Sequence, residues 1–448
     1  MRSREVSAVM KQISEASGRY EKLDILGSYI EDPFVKRLLK FAYDPSINFY
    51  VTSERLFDIF SLQLGGSDFG DEVFELLDRL SNQVITGHAA ISEVEAFSSN
   101  LDADSRSLLM GVFDRSFNLG LNVISINSIC PDLIEVPAYM RCATQKEVDI
   151  SKWDWSKGMF VQPKLDGEFL NFRRLPDGGV TLSTREGSIF PGDYLHKMLG
   201  VTNINYYGGF EIHGELRVRD ASTKFLERKT SNGLLNSVLK GGKLPENFSV
   251  SFVAWDFVRL EEIMNRRGSK PYRQRFAELM DFVKSGQAHF IDTIYTREVT
   301  SMEDAFVLRD HFLKLGDEGV VVKDPSSPWK HGKNLKIVKL KAILTNNLRV
   351  IGFTEGKGKY TGLVGALSCT SEDGTMLVNV SGFSEETRHQ ITDNKKDWMH
   401  RIVEVQHGGV IEAVSQHSLP SLIEPRLLND MYLSGIDEAD SLLKIRGT

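Results

Sequence analysis

The feature that most limits what this chain can fold into is a change of period. From the N-terminus to about Ser128, apolar residues recur at helical spacing, as in Phe34, Leu38, Leu39 and Phe41, then Val73, Leu76, Leu77 and Leu80. Helix-start signals such as Ser92 ahead of Glu95 punctuate that run. From Met159 the apolar residues come instead in short β-rich runs: MFVQPK, FLNFRR, VTLSTR, FEIHGELRV, FSVSFVAWDFV and EGVVVKD. Helical stretches, notably RQRFAELMDFVKS and SMEDAFVLRDHFLKLG, lie between them. At 448 residues the chain also exceeds the size at which one hydrophobic core keeps growing.

The expected architecture is therefore multidomain. An all-α N-terminal domain occupies 1–130, and a linker near Cys130 to Ser151 contains Pro131 and Pro137. An α+β domain built on antiparallel sheets fills 131–341. Beyond it, LRVIGFTEGKGKYTGLVGALSCTSEDGTMLVNVSGF and RIVEVQHGGVIEAV present short strands spaced by Gly-rich or Asp-Gly turns. For 342–448 an all-β OB-fold is the economical choice.

Charge narrows the function classes. The net charge of -7 argues against a protein that coats nucleic acid by bulk charge. It is unevenly placed, with 14 Lys+Arg against 23 Asp+Glu in residues 1–150 and 40 against 38 in the remainder, so a nucleic-acid partner needs local basic surfaces. Cys130, Cys142 and Cys369 lie far apart, without a CxxC pair, and read as small hydrophobes rather than a disulfide framework or zinc site. No run of about 18 apolar residues appears, and MRSREVSAVMKQ lacks the apolar core of a signal peptide, so a cytoplasmic protein with no membrane partner is expected.

The chemistry centres on VQPKLDGEF, Val161 to Phe169, where a short apolar run delivers Lys164 into a turn. An amine attacks phosphorus only when deprotonated, and a free lysine, with a pKa of ~10.4, is rarely neutral at pH 7. Nearby cations favour the neutral form, and Lys323, Lys339 and Lys341 in VVVKD and IVKLK are candidates. They also suit an α-phosphate. Asp166 could orient the amine or a leaving group, and Gly167 lets the backbone turn beside a ligand. Alone, KLDGE is a lysine before an Asp-Gly turn, which is common.

The downstream motifs add the specificity. KLDGE at 164–168, STREG with Arg185, FEIHGELRV with Glu215, FVAWDFV with Trp255, DEGVVVKD with Glu318 and Lys323, and KIVKLK with Lys339 and Lys341 follow in order. Together the chain resembles the ATP-dependent polynucleotide ligases, most closely the phage-type DNA ligases, over roughly 159–341. ERKTSNGLLNSVLKGG, Glu227 to Gly242, resembles the phage ligases in particular.

The resemblance implies a nucleotidyltransferase domain in which Lys164 forms a lysyl-AMP phosphoramidate, with Lys339 and Lys341 acting beside it. Gln162 stands where an adenine contact is made, Trp255 where a ring stacks on adenine, and Arg185 where a phosphate of the nucleotide or of the nick is gripped. Glu215 would bond the ribose hydroxyls or help hold metal, and Glu318 would help hold Mg²⁺. ATP is the implied substrate and nicked duplex DNA the implied partner of a monomer, with the helical domain across the minor groove.

Two departures stand out. Phe169 occupies the place where the family usually has arginine, and Arg173, on the same side of the strand, is the better substitute. The basic sixth motif reduces to Arg426, with Asp437 as a possible acid, and Lys357 and Lys359 in EGKGKYTG are alternative phosphate contacts. Arg273 and Arg275 in PYRQRFAEL are candidates to face the nick. An RNA ligase or a capping-type guanylyltransferase shares the lysyl-nucleotide chemistry, and a non-catalytic binding protein with a decayed core is the reading from another class.

Overall fold

The computed structural model of the chain describes all residues except 52–55, 57–65, 201–207, 288–290, 342–343, 414–417 and 447–448, with the backbone alone at 228–229 and 286–287. The expected domain start at residue 342 lies outside the described residues. The chain divides into two compact units. The first comprises Met1–Ala143, Leu165–Thr296 and Lys323–Ile337; the second comprises Thr144–Lys164, Arg297–Val322 and Val338–Thr448.

In the first unit the N-terminal region is helical, as its periodicity predicts. The helices run Ser3–Glu15, Arg19–Tyr29, Pro33–Tyr43, Glu72–Ser81, Gly87–Ser98, Ala103–Phe113 and Val123–Ile129. Their apolar stripes meet in one core that includes Ile13, Val35, Leu38, Leu39, Phe74 and Leu77. Pro33 starts its helix at a position that needs no N–H, and Asp32 accepts hydrogen bonds from the backbone N–H groups of Phe34 and Val35. The Ser92 start signal is overridden, because that helix begins at Gly87 and Ser92 lies inside it. The expected linker is also more ordered than its prolines suggest, since it holds a strand at Met140–Thr144.

A five-stranded sheet follows, in the order Val180–Ser183, Glu168–Arg174, Phe210–Arg219, Ser249–Arg259, Ile291–Thr293. Its pairs are antiparallel except the last, where Phe252 to Ala254 run parallel to Ile291 to Thr293. The sheet is thus built on antiparallel pairs, as expected, with a short parallel edge. The helices Arg228–Leu239 and Tyr272–Phe282 cover one face, burying Leu235, Val238, Leu279 and Phe282 against Phe210, Phe252 and Phe257. The opposite set of side chains, including Phe169, Arg173, Glu211, His213 and Glu215, belongs to the chemistry described below.

The second unit holds Met159–Pro163, which lies between Arg297–Val299 and Gly319–Lys323, a strand that leaves this unit at its last residue; Gly332–Lys341, next in the strand order, enters the unit only at Val338. The helix Met302–Lys314, capped by Ser301 on Asp304 N–H, connects two of these strands.

The C-terminal part of that unit is a small barrel with the OB-fold connectivity. Its first strand, Leu344–Glu355, pairs with the second, Val364–Thr370, and with the fourth, Ile402–His407. The third strand, Leu377–Val380, pairs with the second, and the fifth, Arg426–Tyr432, pairs with the fourth. A parallel bridge between Ser381 and Arg426, with Leu427 N–H donating to Ser381 C=O at 2.9 Å, closes the third strand on the fifth. Helix Glu385–Asp393 sits between third and fourth strands, and Leu348, Val350, Leu367, Val380, Ile391 and Val405 fill the interior.

Candidate active site

Lys164 follows directly on the buried strand Met159–Pro163 and is held there by both backbone groups. Its N–H donates to Gly319 C=O at 2.8 Å, and its C=O accepts from Glu318 N–H at 3.0 Å. That tie sets the side chains opposite one another: Lys164 Nζ lies 2.8 Å from Glu318 Oε2. Lys341 Nζ lies 2.8 Å from the same oxygen, so one carboxylate stands between two ammonium groups. Burial works to raise Glu318, but the charges and hydrogen bonds of Lys164 and Lys341 outweigh it and hold the group at about 2. Gly319 makes the approach possible, since at φ +126° a Cβ there would stand 2.1 Å from Leu340 C=O. Lys339 lies on the same face of the strand as Lys341, and Gln162 is buried two residues before Lys164.

The first unit carries the remaining motif residues. Glu215 is buried on the strand Phe210–Arg219, and its Oε1 accepts from Gly167 N–H at 3.2 Å. The glycine is required: a Cβ at 167 would come within 2.7 Å of Leu216 C=O and 2.8 Å of Glu215 Cγ. Phe169 faces Glu215 across the strand pair. Its ring lies 5.2 Å from that of Tyr139, 5.8 Å from His213 and 6.0 Å from Trp255. Over this aromatic group lies the exposed Arg185, its Cζ 5.0 Å from the Tyr139 centroid and 5.6 Å from that of Phe169. Burial raises the Tyr139 hydroxyl above its ordinary value, although the Arg185 charge works the other way.

Trp255 occupies a bulge. Gly214 pairs with Ala254 and His213 with Asp256, leaving Trp255 as the extra residue. The bulge leaves Trp255 half-buried while Asp256 turns inward. Asp256 meets Arg275 through two bonds, Nε to Oδ1 at 2.8 Å and Nη2 to Oδ2 at 3.0 Å, and Arg275 Nη1 also donates to the carbonyls of Lys270 and Ser327. Burial pushes Asp256 up, but Arg275 outweighs it and keeps the acid below its ordinary value. Lys323 is buried beside this pair. Its Nζ donates to Tyr272 Oη at 3.0 Å, and Tyr272 Oη–H donates to Trp255 C=O at 2.5 Å. Burial lowers the Lys323 ammonium to about 8 against the pull of Asp256.

A third buried group backs the sheet. Glu211 takes a bond from Arg173 Nε at 2.6 Å, and its other oxygen lies 2.9 Å from His213 Nε2. Burial works to raise Glu211, but His213 and Arg173 hold it below the ordinary range.

Of the expected residues, Lys164, Glu318 and Lys341 come together directly, and Phe169, Arg185, Glu215 and Trp255 form a second gathering in their own unit. Arg275 is corrected: it is fully buried, tied to Asp256, and cannot face a nucleic acid. Arg173 lies on the side of Phe169, as alternation predicts, but its guanidinium is bound to Glu211. Arg273 is exposed at the start of its helix. Lys357 and Lys359 are exposed on the barrel, Lys359 above the Tyr360 ring and 3.9 Å from Glu385. Arg426 lies at the barrel closure, and the Asp437 C=O accepts from Arg349. Tyr139, Tyr272, Asp256, Glu211 and His213 were not anticipated. The alternation Glu211, His213, Glu215 on one strand face was the available signal for the last two. Tyr139 gave none, because it lies in the segment that reads as a linker.

A family model described as the ATP dependent DNA ligase domain matches residues 142–341. The DNA ligase of Enterobacteria phage T4 is 24% identical over 93% of this chain and 93% of its own length, and that of Enterobacteria phage T6 is 23% identical with the same coverage. A DNA ligase of Methanothermobacter thermautotrophicus is 30% identical over 31% of this chain and 28% of its own length. The solved structure named "Pmar-Lig_PreS3" shares the fold, with a TM-score of 0.62 at 18% identity over 95% of this chain and 98% of that one.

Proposed function

This chain belongs to the ATP-dependent DNA ligases, and from that premise we propose that it seals 5′-phosphate/3′-hydroxyl nicks in duplex DNA through AMP carried on Lys164. The observation that carries the assignment is the Lys164–Glu318–Lys341 arrangement. Lys164 Nζ attacks the α-phosphorus of ATP, forming the N–P bond as pyrophosphate leaves. The 5′-phosphate of the nick then takes AMP from the lysine, and the 3′-hydroxyl displaces AMP to close the strand. For the amine to attack, it must leave its proton and its bond to Glu318. Lys341, on the same carboxylate oxygen, keeps Glu318 paired when Lys164 departs, so the acid is not stranded. Its ammonium also stands near the charge that develops on phosphorus, as Lys339 would on the same strand face.

The other roles follow from chemistry and placement. Trp255, thrust outward by its bulge, offers a face for adenine, and Gln162 an amide for its edge. Glu215 suits the ribose hydroxyls, and Lys323 a phosphate through the charge it keeps below about pH 8. Mg²⁺ would neutralise phosphate charge. A hydrated ion held mostly by phosphate oxygens needs only one or two carboxylates, and Glu318 and Glu215 are the candidates.

The three-domain division at 1–130, 131–341 and 342–448 fits this scheme. The helical domain binds duplex DNA through local cations and helix N-termini, and Lys357 and Lys359 add phosphate contacts from the barrel. A monomeric, cytoplasmic enzyme is part of the same proposal; separately, among the described residues no helix is long and apolar enough to cross a membrane. The test is a sealing assay on matched nicked duplexes with ATP and Mg²⁺. ATP-dependent sealing of the DNA nick is expected; sealing confined to RNA, or none, overturns the reading.

A further inference from the structure

The departure at Phe169 has a structural counterpart. Among the described residues Arg185 forms no hydrogen bond or ion pair, yet it is not loose. Its guanidinium lies against two rings, Tyr139 and Phe169, which meet edge to face at 76°. Its backbone belongs to a closed turn: Gly187 N–H donates to Thr184 C=O at 3.1 Å, and Thr184 N–H to Ser188 C=O at 2.9 Å. Pro137 and Pro45 press on that turn so tightly that a Cβ at Gly187 would meet Pro137 Cγ at 2.7 Å and Pro45 Cγ at 3.2 Å. A guanidinium fixed through its face keeps its N–H edge unspent, which is the geometry for bidentate capture of an oxyanion.

We propose that Phe169 and Tyr139 are positioning residues that hold the Arg185 guanidinium by its face, so that its N–H edge grips the 5′-phosphate at the nick. This rests on the ligase reading above. An arginine in place of Phe169 would bring a second cation beside Arg185; the aromatic ring orients the one cation without repelling it. The pair does by packing what a carboxylate partner would do by charge, and leaves the donors to the phosphate.

The experiment uses full-length enzyme already carrying AMP, so that differences in charging drop out, and measures single-turnover AMP transfer and binding on nicks bearing 5′-phosphate or 5′-hydroxyl. Phe169→Leu, which keeps bulk but removes the ring, is expected to lower the preference for 5′-phosphate by roughly three- to tenfold, and Tyr139→Leu by a similar factor. Phe169→Tyr and Tyr139→Phe should restore it. In an Arg185→Ala background Phe169→Leu should cost nothing further, because the ring then has no guanidinium to hold. Equal losses on both nicks, failure of Phe169→Tyr to rescue, or additive losses with Arg185→Ala would overturn the proposal while leaving the ligase reading intact. A wild-type enzyme that takes no AMP or seals no nick would overturn both.

Discussion

Two clusters of charge, one in each unit, differ in how much water they meet. The side chains of Lys164, Glu318 and Lys341 remain 25%, 19% and 32% exposed, and two cations share one oxygen. Arg275 and Asp256 are 0% and 1% exposed, joined by two parallel bonds, with every remaining donor of Arg275 Nη1 on a carbonyl. The first cluster can exchange partners, as the proposed nucleophile must; the second cannot do so without stranding a charge. Sequence position alone does not separate them, since Arg275 is as much a candidate to face a ligand, the nick, as Lys164 is to face the nucleotide.

The buried pair should give the largest effect on stability. Asp256→Ala should destabilise the first unit by about 3–5 kcal/mol, because Arg275 is left buried and unpaired, read as a shift of the denaturant midpoint. A loss below about 1 kcal/mol would mean that the pair is not the structural anchor. At the exposed side the effects should invert. Glu318→Gln is expected to cost less stability than Asp256→Ala, yet to slow formation of the covalent nucleotide by about a hundredfold. Stopped-flow or quenched-flow adenylation together with urea melts separates the two outcomes.

The elements that carry both clusters are legible in the sequence. The strand runs around Lys164, Glu215, Trp255 and Lys323 appear where β-rich patterning places them, because each is a short run of β-forming residues bounded by turns. Helical spacing likewise marks the N-terminal region. What patterning cannot report is the partner. Arg275 and Arg273 look alike at the start of a helix, and only the inward turn of Asp256 at the Trp255 bulge commits Arg275 to the interior. Tyr139 was hidden for the opposite reason: in a proline-flanked stretch nothing marks a residue whose ring lies against Arg185. The parallel edge of the sheet escaped too, since three residues, Ile291–Thr293, are too few to show a direction.

Smaller effects sharpen the picture. Gly167→Ala forces a Cβ toward Leu216 C=O and Glu215 Cγ, and should cost about 1–3 kcal/mol while displacing the Glu215 carboxylate. A fall in nucleotide affinity without loss of stability would show that the strand absorbs the change. Acid titration is the gentlest probe. Glu318 is held at about 2 from an ordinary 4.5, so its ion pairs contribute fully above about pH 4.5 and drain away as the pH falls toward about 2. The stability difference between wild type and Glu318→Gln should shrink over that window, and a difference that grows on acidification would reverse the assignment.

Lys164 is the proposed covalent centre. Intact-mass measurement after incubation with ATP and Mg²⁺, followed by peptide mapping, tests it directly. The account predicts one AMP per chain, on the peptide containing Lys164, absent in Lys164→Ala. An adduct that persists in Lys164→Ala, maps to another residue, or never forms would contradict it.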